Sequence, residues 1–112
     1  MPALHWLSPR CADMKRIENL VCHIDDELEG AKEYAESYLD RKANGDSQWA
    51  SRYREMATDE LKHAGYIHDL AVEEITKLRN VYTPPADMEE KWNISHKRYI
   101  EKAAWIKQIL AM

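Results

Sequence analysis

Three polar side chains stand where the pattern of an amphipathic helix calls for apolar ones. Read at about 100° per residue, the stretch after residue 46 carries an apolar band of Trp49, Tyr53, Met56, Ala57, Ala64, Ile67, Leu70, Ala71, Ile75 and Leu78, and Glu60 and His63 fall inside it. The stretch before residue 44 carries a similar band of Ile17, Leu20, Val21, Ile24, Leu28, Ala31, Tyr34, Ala35, Tyr38 and Leu39, with Glu27 toward its edge. An unpaired buried carboxylate costs several kcal/mol, so each of these groups needs a partner. A metal ion satisfies several of them at once. Glu60 and His63 are one turn apart on one face and can reach the same ion. Two readings without a metal stand beside this one. Glu60 and His63 can form a hydrogen-bonded pair within one helix, and Glu27 at a band edge can extend its carboxylate to water.

Three helices would position these residues. Ser8-Pro9 reads as an N-cap followed by proline at the first helical position. Helix A is then expected over about 9–43, ending at Asn44-Gly45-Asp46, where Gly tolerates the left-handed C-cap. Helix B is expected over about 47–81, stopped by Thr83-Pro84-Pro85. Asp87 is expected to cap helix C over about 87–111, whose apolar stripe is Trp92, Tyr99, Ala103, Ile106 and Leu110. The short connections make neighbouring helices antiparallel. The expected fold is therefore all-α: a single domain over 1–112, built as a long hairpin plus a C-terminal third helix. Two long helices leave an apolar face that a shorter third cannot fully cover. A homodimer, or a higher homo-oligomer, would turn two hairpins into a four-helix bundle.

Composition narrows the function classes. The 16 basic against 20 acidic residues give a formal charge of −4, which argues against a nucleic-acid binder. The apolar runs are far too short for a membrane span, and the N-terminus has no secretory h-region, so a cytoplasmic protein is expected. Cys11 and Cys22 fall on one helix roughly 16 Å apart and cannot pair within the chain, so reduced thiols are expected.

Ligand arithmetic links the polar residues to the dimer. One chain offers a lone Glu and a Glu-x-x-His. A dinuclear carboxylate site in a four-helix bundle uses two of each, so a two-fold dimer would complete it. The segments DDELEGAKEYAESYLD and ATDELKHAGYIHDL resemble the metal-binding helices of the ferritin-like superfamily, most nearly those of the encapsulated ferritins, over about residues 15–80. That resemblance implies a two-helix hairpin completing a di-iron site by dimerising, with two irons per dimer and oxidation of Fe(II). It implies Glu27 as a terminal carboxylate ligand, Glu60 as the bridging carboxylate and His63 as the nitrogen ligand. Manganese or zinc also suits such donors. Helix C has no counterpart in the two-helix core, and the ending WIKQILAM does not resemble those proteins' cargo tag. The contrasting reading is a non-catalytic helical interaction or assembly module in which Glu27, Glu60 and His63 set packing register.

The surrounding residues carry weaker expectations. His23, one turn before Glu27, is a candidate outer-shell partner or transient iron ligand. Tyr34, two turns beyond, is a candidate second-shell hydrogen-bond or electron donor, though core packing is the commoner role. Glu74 lies about 21 Å from Glu60 along the helix and is expected to pair with Lys or Arg near the bundle end. His96 is a remote candidate ligand, and His68, off the His63 face, is expected at the surface. Gly30 and Gly65 would allow close helix approach. Asp26, Glu29, Glu33, Glu36 and Asp40 form an acidic stripe read as a solvated face, with some capacity to draw cations inward.

Overall fold

A computed structural model describes the backbone from Pro9 to Met112 and the side chains from Lys15 onward. The Ser8 cap and the Cys11 side chain lie outside the described residues. The chain forms α1 (Pro9–Ala43), α2 (Ser47–Val81) and α3 (Ala86–Leu110), with no strand among the described residues. None of these helices is long and apolar enough to cross a membrane.

The turn between α1 and α2 is specified atom by atom. Gly45 takes a left-handed φ of 75°. Its N–H donates to the Lys42 carbonyl and the Asp46 N–H to the Arg41 carbonyl, the paired bonds of a Schellman ending. Asp46 then starts α2, its Oδ1 accepting the Trp49 N–H at 3.2 Å. One three-residue link thus satisfies the end of one helix and the start of the next, and it sends α2 back along α1. The molecule is 58 Å in its longest dimension, little more than the ~52 Å of one 35-residue helix.

Small residues set how closely the hairpin packs. The buried positions of α2 recur every seven residues as Ala50, Ala57, Ala64, Ala71 and Leu78. Those of α1 do the same as Ile17, Ile24, Ala31 and Tyr38, joined by Leu28 and Ala35. Alanine on both helices through the middle lets the backbones approach, and Gly30 goes further. A Cβ at Gly30 would sit 3.4 Å from Glu60 Oε2, so this glycine leaves room for the Glu60 carboxyl. Gly65 does not serve that junction; the atom it makes room for is the Tyr99 hydroxyl of α3, also at 3.4 Å.

The third helix lies along one side of the hairpin, where Met88, Trp92, Ala103 and Ile106 bury their side chains. Ion pairs hold it to α1 (Lys91–Glu18, Arg98–Asp25, Lys102–Glu29) and to α2 (Arg79–Glu89). Three expectations change here. The N-cap of α3 is Pro85, not Asp87; a helix may begin without a side-chain cap when proline supplies the entry backbone, and Asp87 sits in the first turn against the positive helix end. The helix accordingly spans Ala86–Leu110. His68 is not at the surface but only 9% exposed, because α3 lays Trp92, His96 and Tyr99 over it. The Ser95 hydroxyl is buried in the same helix with no hydrogen-bond partner among the described residues.

Candidate metal centre

Glu27, Glu60 and His63 converge. Each can offer one ligand atom such that all three atoms lie within 4.8 Å of one another. The convergence follows from the hairpin. The alanine-lined junction brings α1 and α2 close, Gly30 clears the space beside Glu60, and the i,i+3 spacing puts His63 one turn further along α2.

Glu27 is the hub of the cluster. Its Oε1 lies 3.3 Å from His23 Nε2 and its Oε2 lies 3.7 Å from His63 Nδ1. It also shares a hydrogen bond with Glu60. That bond sets the two carboxyls apart. Accepting it, together with the nearby His23 and His63, holds Glu27 below the usual carboxylate range against a smaller opposing effect of burial. Glu60 is pushed above its ordinary value, first by this hydrogen bond to Glu27, then by desolvation and by the Glu27 charge. The proton of that hydrogen bond is therefore favoured on Glu60 over Glu27, as expected where two carboxyls share a site. A cation placed between them would replace that proton.

The cluster opens outward. The His63 side chain is 54% exposed and that of Glu27 20%. It also faces away from α3: Glu27 is two residues beyond Asp25, which pairs with α3, and so lies ~200° around α1 from it. Along α2 the same outer face carries Trp49 and Leu70, both over 40% exposed, and the half-buried Tyr53, Met56 and Ile67.

The remaining candidates separate. His23 adjoins Glu27 as an outer-shell residue would. Tyr34 packs its ring 6.2 Å from that of Tyr53, with no hydrogen bond to the cluster among its described contacts. Glu74 pairs with Arg16 at 2.9 Å near the end of the hairpin. His96 is remote from the cluster and meets His68 at 2.8 Å. In the acidic stripe Glu33, Glu36 and Asp40 are exposed, and Glu29 is drawn to Lys102 of α3. Sequence reasoning missed the His68–His96 pair. Its one signal is that His68 follows Leu61 by seven residues, and so faces the same side of α2, the side that α3 covers. No known protein family, curated protein or solved structure matches this chain.

Proposed function

We propose that this protein is a ferritin-like metal-binding protein in which Glu27, Glu60 and His63 form half of a dinuclear carboxylate site, completed by the same residues of a second copy. The observation that carries the reading is the convergence of two carboxyls and an imidazole on a solvent-open patch. Two carboxylates and one nitrogen suit Fe(II), with manganese and zinc as competitors. The exposed apolar residues around the cluster support a second copy as its cover. Three donors leave an ion short of the four to six that such metals take, and a two-fold copy brings three more.

In this reading Glu60 would be the shared carboxylate ligand, with Glu27 as the further carboxylate and His63 as the nitrogen ligand. His23 orients Glu27. Iron bound there would supply oxidation of Fe(II) by O₂ or peroxide. Protons would compete with metal for Glu60, so binding weakens as the medium is acidified.

Native mass spectrometry of metal-free protein titrated anaerobically with Fe(II) tests this directly. The expected result is a dimer that saturates at two irons, followed by O₂ uptake on aeration. Binding without O₂ uptake would reassign the site to a structural zinc or manganese. Protein that stays metal-free in excess iron would favour the interaction-module reading. One observation favours that second reading: the Glu60–Glu27 hydrogen bond already satisfies both groups with no ion.

A further inference from the structure

The side of the hairpin opposite the carboxylates holds a second cluster of titratable groups. His68 of α2 is one of two buried polar residues among those described. Its ring stacks on Tyr99 at 4.1 Å between centroids and 14° between planes, on His96 at 5.0 Å and on Trp92 at 5.5 Å, all from α3. His68 Nε2 and His96 Nδ1 are 2.8 Å apart. A hydrogen bond at that distance requires one ring to donate its N–H to the bare nitrogen of the other. Two doubly protonated rings carry only donors and cannot make it. We propose that the His68–His96 pair is a pH-operated latch, which holds α3 on the hairpin at neutral pH and releases it on mild acidification.

Titratable groups meet the pair from α2 and α3. On α2, Asp69 partly favours the cationic form of His68. On α3, His96 opposes it, and Tyr99 is held neutral by burial. From α1, Asp25 reaches α3 by pairing with Arg98 at 2.8 and 3.1 Å. The balance keeps His68 below the ordinary histidine range, with burial the largest cause and His96 the next. The sign follows. A buried histidine with a lowered value favours the docked state above its free value of about 6.5, and that preference is lost as pH falls from there through the docked value. In two of the ion pairs that also hold α3 the carboxylate titrates lower. Glu29 and Glu89 are both held below the carboxylate range by Lys102 and Arg79. Where α3 meets the hairpin, His68 is therefore the group whose charging on mild acidification opposes docking.

Hydrogen exchange of the full-length, metal-free protein, corrected for intrinsic rates and followed from pH 7.5 to 5, reads this out. Amides of α3 should lose protection by up to about tenfold per pH unit for each proton taken up, while the central turns of α1 and α2 keep theirs. The His68→Phe variant keeps a ring in the stack and removes the titration, so its α3 profile should be flat. If that variant does not fold, His96→Gln, which accepts from a protonated His68, should show a shallower slope. An α3 profile that is flat in the wild type, a loss shared equally by all three helices, or a slope unchanged in the variants would overturn the proposal.

Discussion

At the scale of single residues, Glu60 is the most informative side chain in the molecule. The hydrogen bond to Glu27, burial and the Glu27 charge push its carboxyl above the ordinary range, so a second anion beside Glu27 is disfavoured. Glu60→Gln keeps a donor facing Glu27 and removes the repulsion. Its stability at pH 7 should therefore equal or exceed that of the metal-free wild type, by no more than ~1 kcal/mol because solvent reaches the site. Tight metal binding should disappear. Denaturant titration and metal analysis of the same preparation check both halves, and a strongly destabilised variant would contradict the assigned hydrogen bond. Ser95 offers a simpler test. Its hydroxyl is buried and unpartnered, so Ser95→Ala should raise stability by about 1 kcal/mol. Glu27, Glu60 and His63 were legible in the sequence because a charge inside an apolar band is conspicuous. His68 was not, since histidine suits a surface or a stacked interior equally well and only the third helix decides between them.

At the scale of elements, the hairpin was readable because its signals are local. Asn44-Gly45-Asp46 specifies a stop, a left-handed residue and a new cap within three positions, and α1 and α2 end where that chemistry places them. The cap of α3 lies two residues before the expected Asp87, since proline backbone geometry there outranks that carboxylate. The alanine repeat was visible as apolar positions, but not as the device that sets helix separation. That separation decides whether Glu27 can reach Glu60. Ala57, fully buried one turn before Glu60, is the position that tests it. Ala57→Leu adds volume to a filled junction and should cost ~1–3 kcal/mol in thermal or denaturant unfolding. It should also weaken metal binding at least tenfold by prising the two carboxyls apart. Unaltered metal affinity in a destabilised variant would separate the site from the helix spacing.

At the scale of the whole molecule, the two faces of the hairpin have different characters. One is sealed by α3 with ion pairs and the stacked histidines. The other presents Glu27, Glu60 and His63 amid Trp49, Tyr53, Met56, Ile67 and Leu70. A face running most of a 58 Å molecule is long enough for an interface above the ~1,000 Å² that specific association needs. How its two halves would meet was not legible from one chain's sequence, since pairing of identical faces depends on geometry that no single helix encodes. Leu70 lies on this face, 41% exposed, two turns beyond His63 and away from every candidate ligand. Leu70→Lys should leave the fold of each chain intact by circular dichroism while placing like charges across the proposed two-fold. If the wild type sediments as the proposed dimer, the variant should sediment as a monomer, and any tight binding in anaerobic Fe(II) titration should be lost with it. A monomeric variant that still bound iron tightly would show that one chain's three donors and solvent suffice. The second copy would then have no part in the metal centre.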